Sequence, residues 1–395
     1  MNKLRKAYFI GLFALLLLPL SSAVAAESTR YFVKSSSQFW KNAFNARHEF
    51  KDGFTANLND WQIRFAKILG VAVEPVGILQ ILPLEEIKAP KTSPKPRPTP
   101  SDQISWGIES VYGSSEMTST SGGEGIKVAV IDTGIAEHPD LKSRLIKCKD
   151  FTNARFPVVN GKCEDKNGHG THVAGIVAAD GGSDGLGIYG MAPAAVLYAF
   201  KSCALNGTCY ADDLAVAVQT AADDGANIIN LSVGSDRSSV LINEAIDYAI
   251  SKGVLVVTAA GNDGPYAESI DYPAAKANVV AVAAFDSFFK IADWSSRGVN
   301  TKTTPLIIEE KDIELAAPGV NIESTWSNGG YAVLSGTSMA TPFVSGLAAK
   351  IWTTLPLDTE HPAQTIRELL QKNTMDLDVI GEDDSSGLGF SKVQQ

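Results

Sequence analysis

The sequence predicts an α/β protein: a doubly wound, mostly parallel sheet with helices on both faces, preceded by a small α+β unit. Two observations carry this expectation. Apolar runs at 126–131, 196–200, 227–231, 254–258 and 279–283 alternate with helical patterns near 171–179, 211–224, 240–251 and 339–353, the rhythm of parallel strands joined by crossover helices. A proline-rich stretch at 89–100, APKTSPKPRPTP, separates this region from what precedes it, because such a composition makes an extended, solvated tether between domains.

Taken in order, the chain divides into four parts. Residues 1–26 read as an export signal: Lys3, Arg5 and Lys6, an apolar run to Leu20, then small residues at Ala23, Ala25 and Ala26 where a peptidase can cut. Residues 27–88 show short strand and helix patterns (RYFVK, SQFWKNAF, ARHEFKDGF, LNDWQIRFAKILG, VAVEPVGILQIL), which suit an antiparallel sheet carrying two helices. The tether is 89–100, and the main domain is 101–395. No second apolar run reaches membrane-spanning length, so the expectation is an exported, secreted or periplasmic protein with no span after signal removal.

At 395 residues, with 45% hydrophobic and 20% charged content, the chain can build one large core plus a small accessory domain. Residues 1–100 hold 14 Lys and Arg against 7 Asp and Glu, net +7, which leaves −17 for 101–395 out of the total of −10. The acidic main domain would repel phosphate, which argues against nucleic-acid binding, while the two oppositely charged parts can attract each other. Four cysteines are an even number in an exported chain and fit disulfides. Of the three pairings, Cys148–Cys163 and Cys203–Cys209 are favoured, since each closes a short local loop. Two glycine motifs carry no chemistry. The G-x-G-x-x-G at 185–190 follows a helix and precedes a strand, the reverse of a dinucleotide site, and the G-x-S-x-G at 181–185 has neither a feeding strand nor a following helix.

The chemistry gathers around 334–342, LSGTSMATP. Ser338 is placed on the first turn of a helix, where unpaired N–H groups and the dipole favour a developing anion. Serines there are ordinarily only caps, so a nucleophile needs a base and an orienting acid. His169, in NGHGTHVAG, lies at a glycine-flanked helix start and is the candidate base; His172, on the same helical face, is taken as a packed, hydrogen-bonded neighbour. Asp132 ends the strand IKVAVID, so its carboxylate emerges at the C-terminal sheet edge, where catalytic groups of open α/β sheets collect, and can fix the imidazole tautomer. Asn262, in VVTAAGNDG, offers an amide donor to an oxyanion.

VIDTGI, GHGTHVAG, AAGND and GTSMATP, in this order, resemble the motifs of the subtilisin-like serine proteases, and the likeness runs from about Trp106 to the end of the chain. It implies a seven-stranded, mostly parallel sheet and a triad of Asp132, His169 and Ser338, with Asn262 and the Ser338 amide as oxyanion hole. It also implies substrate walls. NLSVG at 230–234, with Ser232, Val233 and Gly234, resembles the strand lining the first specificity pocket, and 206–210, with Asn206 and Gly207, the opposite edge. Ala260 and Gly261 border the pocket, and Asp271 in SIDYPA would lie at its base, favouring Lys or Arg in the substrate. The loop GSDGLGIYGMAP resembles the family's calcium loop, implying Asp184 by side chain and Gly182, Leu186 and Ile188 by carbonyls, joined by Asp140 and Asp102. Residues 301–311 are an insertion.

By the same likeness, residues 27–88 take the place of the family's inhibitory prosegment, a ferredoxin-like unit that assists folding and blocks the groove with its own tail until it is cut off between residues 84 and 101. The implied protein is a secreted, monomeric endopeptidase acting on extended peptides. A narrow processing protease, or a non-catalytic binding protein on the same fold, are the alternatives.

Overall fold

The computed structural model describes residues 29–82, 97–303 and 305–394; the expected signal segment and most of the tether lie outside them. Two compact units meet in the chain between Val76 and Gly77.

The first unit runs β1 (Thr29–Val33), α1 (Gln38–Phe44), β2 (Glu49–Phe50), β3 (Gly53–Leu58), α2 (Asp60–Ile68) and β4 (Val73–Pro75). Its antiparallel sheet has the order β2-β3-β1-β4. α2 starts where Asn59 and Gln62 cap each other's backbone amides at 2.9 and 3.0 Å, which satisfies two of the N–H groups a helix start leaves open. Val33, Trp40, Phe44, Phe54, Leu58 and Ala66 form its core. The unit therefore has the expected sheet and two helices, but it closes at Val76 rather than at 88. The next residues form a strand of the second unit.

That unit opens with β5 (Ile78–Ile81) and α3 (Trp106–Tyr112), followed by β6 (Lys127–Asp132), β7 (Leu145–Asp150), β8 (Val159–Asn160), α4 (His169–Ala178), β9 (Val196–Lys201) and β10 (Thr208–Tyr210). After these come α5 (Ala211–Asp223), β11 (Ile228–Leu231), β12 (Val233–Gly234), α6 (Val240–Ser251), β13 (Leu255–Ala259) and β14 (Val280–Phe285). The unit closes with β15 (Leu315–Pro318), β16 (Ile322–Thr325), β17 (Tyr331–Leu334), α7 (Thr337–Trp352), α8 (Pro362–Lys372), β18 (Thr374–Met375) and β19 (Phe390–Ser391).

Its main sheet has the order β18-β19-β15-β14-β13-β11-β6-β9-β7-β8. The seven strands from β15 to β7 are all parallel; β19 adds one more parallel pair, and the short β8 and β18 pair antiparallel at the edges. Every residue of β11, β13 and β14 is buried, as required of strands with both faces covered. Helices supply the cover: α4 packs with α7, and α5 with α6. α7 is buried from Thr337 through Ala349, so it is a central helix rather than a surface one. Both favoured disulfides, Cys148–Cys163 and Cys203–Cys209, are formed.

Candidate active site

Asp132 is the last residue of β6 and fully buried, with Oδ1 accepting the Thr133 amide at 2.6 Å. His169 opens α4. Asp165 shapes the turn before it: Oδ1 accepts the amides of Asn167 and Gly168 at 3.0 and 2.8 Å, and Oδ2 accepts the amide and hydroxyl of Thr171 at 2.9 and 2.6 Å. Gly168 has φ 108°, and a Cβ there would stand 2.4 Å from the Trp326 ring, so only glycine gives this approach. The result is that His169 Nδ1 lies 2.8 and 2.9 Å from the two Asp132 oxygens. Among the described residues, its buried Nε2 has no hydrogen-bond partner.

Ser338 is the second residue of α7, and its hydroxyl donates to the Ser232 carbonyl at 3.1 Å. Ser232 Oγ donates back to the Ser338 carbonyl at 3.0 Å, and accepts from Asn230 Nδ2 at 3.0 Å. Ser345, two turns further along α7, donates to Asn230 Oδ1 at 2.9 Å. Asn262 follows β13, and its Oδ1 accepts both the amide and the hydroxyl of Thr337 at 3.0 Å. Its Nδ2 lies 3.5 Å from where a Cβ on Gly336 would be, so the donor edge of the amide runs along the start of the helix that carries Ser338.

His172 is the packed neighbour expected, with Nε2 3.1 Å from the carbonyls of both Ile322 and Ala332. Burial, then the nearby His169, push its pKa down to about 3, so it stays neutral.

The groove beside Ser338 is lined by β10 and β12, and β5 lies between them as an antiparallel strand. Thr208, Cys209 and Tyr210 pair with Gln80, Leu79 and Ile78, while Val233 and Gly234 pair with Ile81 and Gln80. The Ile81 amide also donates to the Gly207 carbonyl at 2.9 Å. Asn206 uses Oδ1 to accept the Thr208 amide at 3.1 Å, so it shapes the turn, and Gly207 with β10 makes the wall. Beyond β5, Leu82 Cδ2 and Asp271 Oδ2 lie 2.6 and 2.3 Å from where a Cβ on Gly234 would sit, and Asp271 is 3.0 Å from the same position on Gly261. Ala260 accepts the Asp271 amide at 2.8 Å. The structure thus brings Gly234, Ala260 and Gly261 against Asp271, with Ser232 and Val233 next to Gly234 in the chain.

In the loop at 181–188, Asp140 Oδ1 and Asp184 Oδ1 lie 2.9 and 3.3 Å from where a Cβ on Gly182 would sit. Asp140 Oδ2 accepts the Ile188 amide and the Tyr331 hydroxyl, both at 2.9 Å. Two carboxylates face the same position beside Gly182, and oxygen donors of this kind suit a hard cation such as Ca²⁺; the carbonyls of Gly182 and Ile188 accept the amides of Gly185 and Gly181 at 3.3 and 3.0 Å. Asp102 is used otherwise, accepting the Ile104 amide at 3.1 Å. It is Gln103 that reaches the loop, donating to the carbonyls of Gly185 and Gly187 at 2.6 and 3.0 Å. Sequence reasoning overlooked Gln103, Asp165, Ser345 and Asp236. Only Asp165 left a signal, an acid just before the histidine turn.

A model of the subtilase family, Peptidase S8, matches residues 123–389. A subtilisin from Bacillus sp. (strain TA39) is 40% identical over 95% of this chain and 93% of its own. Subtilisin Savinase from Lederbergia lenta is 41% identical over 63% of this chain and 84% of its own. Among solved structures, Sphericase superposes with a TM-score of 0.72 at 47% identity, and the S41 psychrophilic protease with 0.70 at 44%. Each covers 74% of this chain and 99% of its own.

Proposed function

The chain belongs to the subtilase family and is a serine endopeptidase, and from that premise we propose that Asp132, His169 and Ser338 do its chemistry in an exported enzyme made as a self-inhibited zymogen. The observation that carries the catalytic part is His169 Nδ1 set against both Asp132 oxygens, with Nε2 left to exchange a proton.

The sequence of steps follows from this arrangement. A rotation about the Ser338 side chain exchanges its bond to the Ser232 carbonyl for one to His169 Nε2. Nε2 takes the hydroxyl proton as Oγ attacks the peptide carbonyl, and Asp132 stabilises the imidazolium. The carbonyl oxygen, now negative, accepts from Asn262 Nδ2 and the Ser338 amide. Nε2 returns its proton to the leaving amine, and water releases the acyl group by the same path in reverse.

Inhibition rests on β5. Its backbone fills the groove as an added strand, the way an extended peptide is held. The bond after Leu82 precedes Pro83, and proline constrains the residue before it, so the maturation cut falls further on, in 84–101. Residues 27–88 act as the intramolecular inhibitor, and the released enzyme works as a monomer. Asp140 and Asp184, with the carbonyls of Gly182, Leu186 and Ile188, would hold a calcium ion whose role is to stiffen the loop.

Labelling with a fluorophosphonate and hydrolysis of casein by the purified protein test the reading. Labelling that disappears in Ser338→Ala supports it; labelling that persists there, or hydrolysis that does, overturns it. Casein left intact alongside cleavage of a few peptides would mark a narrow processing protease.

A further inference from the structure

The first pocket holds more acid than one carboxylate. Asp271 at its base, Asp263 from the turn after β13 and Asp236 from the loop after β12 bring carboxylate oxygens within 4.8 Å of one another. Asp263 and Asp236 are exposed, whereas Asp271 is 3% exposed. Among the described residues, Asp271 accepts no side-chain hydrogen bond and forms no ion pair, and the charged groups facing it are Asp263 and Asp236. A buried carboxylate in such a position is costly unless it is neutral or meets a cation. The absence of a Cβ at Gly234 and Gly261 lets Asp271 pack against both, and Leu82 reaches the same position beside Gly234.

The occupant is therefore apolar, while the wall is acidic. Neighbouring carboxylates this close add to the cost of ionising the buried one, and with Asp271 uncharged the site tolerates a leucine. An ionised cluster instead attracts an ammonium or guanidinium group. The end of the β5 strand delivers a peptide side chain to this point, which makes a substrate side chain the fitting source of that cation.

We propose that this pocket is proton-switched: with Asp271 neutral it takes apolar side chains such as Leu, and with Asp271 ionised it takes Lys or Arg at the residue before the cut. The proposal rests on the peptidase reading above and names the substrate class of the same site. Burial, with Asp263 and then Asp236 adding to it, pushes Asp271 up to about 7, and burial also raises Asp263, with Asp236 adding to it. The switch thus falls between mildly acidic and alkaline conditions.

The test measures kcat/KM for matched peptides differing only in Lys, Arg, Leu or Phe before the cut, from about pH 5.5 to about pH 9, a range over which Lys and Arg stay charged. Taking the Lys/Leu ratio cancels any pH dependence that both substrates share. The ratio is expected to rise roughly tenfold or more across the range. Asp271→Asn, nearly isosteric, should flatten it, and the exposed Asp236→Asn should lower it by a smaller factor without affecting folding. A flat ratio in the parent enzyme overturns the proposal, as does a ratio that responds to EDTA instead of pH, which would make the cluster a metal site. If fluorophosphonate labelling of Ser338 persists while the ratio is flat, only the pocket proposal fails. If labelling and all hydrolysis are absent, the catalytic reading fails and the proposal falls with it.

Discussion

Ser345 donates its hydroxyl to Asn230 Oδ1 at 2.9 Å, and this bond ties the helix carrying Ser338 to the strand that leads into the first pocket. Asn230 passes the constraint on through Ser232 to the Ser338 carbonyl. Asn230 reaches the Ser338 backbone only through Ser232, so on the proposed mechanism it acts by positioning. Asn230→Ala should lower kcat by about tenfold with little change in KM, and cost about 1–3 kcal/mol through the buried groups left unpaired. Steady-state kinetics with denaturant melts check both. Loss of stability with kcat intact would reduce the network to a structural one.

The roles of Asp132 and Asn262 separate kinetically. Asp132→Asn should lower kcat by about 10⁴-fold, because an amide at that position favours the wrong imidazole tautomer. Asn262→Ala should cost about 10²–10³-fold, the scale known for removing one oxyanion donor from subtilisin itself, again mostly in kcat. Equal small effects from both substitutions would contradict the proposed division of labour.

Much of the fold could be read in advance because its strands are buried on both faces. β14 is an unbroken apolar run and β11 and β13 are apolar but for Asn230 and Thr258, and the motifs sit at the ends of such runs. β7 escaped notice because Lys147 and Lys149 interrupt it; both reach out to Asp224. The placement of Leu82 against Asp271 depends on the register of a strand donated from far earlier in the chain, which no local pattern encodes. Asp236 and Ser345 were missed for the same reason: their partners lie distant in sequence, Asn230 being 115 residues from Ser345. Conversely, Asn206 matched a motif but serves its own turn.

His172 predicts an acid limit. Folded, its pKa is lowered to about 3 from 6.5, first by burial and then by His169. The unfolded chain therefore binds the extra proton below the ordinary histidine value, and stability falls as pH drops from about 6.5 toward 3, by on the order of 1 kcal/mol per pH unit from this group. His172→Gln should be less stable near neutrality but lose less per unit on acidification. Parallel slopes in urea melts between about pH 6 and 4 would remove His172 as the cause.

Chelation tests the loop at 181–188. Removing calcium should leave Asp140 and Asp184 facing each other across Gly182 without a counter-charge, lowering the Tm by several degrees or more, on the order of 4 °C per kcal/mol at most for a domain of this size. Asp184→Asn should lower the Tm in calcium and blunt the response to EDTA. An unchanged melt of the parent protein in EDTA would rule the site out.

Glu314, fully buried at the start of β15, meets Arg367 of α8 in a two-pronged ion pair, Nε at 2.8 and 3.1 Å and Nη2 at 2.6 Å. Gln371 adds a bond at 2.7 Å to the same carboxylate, and Arg367 Nη2 also donates to the carbonyls of Ala277 and Val279 at 2.8 and 3.1 Å. Both charges are thus nearly saturated, and α8 is fixed to the edge of the main sheet. Arg367→Met would leave the buried Glu314 carboxylate without its partner in the core, at a cost of about 3–5 kcal/mol. Desolvation offsets most of what such a pair contributes, so replacing Glu314 with Met as well should recover a large part of that loss. Denaturant midpoints of the two single variants and the double variant complete the cycle. A single variant within about 1 kcal/mol of the parent would mean that water reaches Glu314 once the guanidinium is gone, and that α8 is held mainly by Ile366 and Leu370, its buried apolar residues.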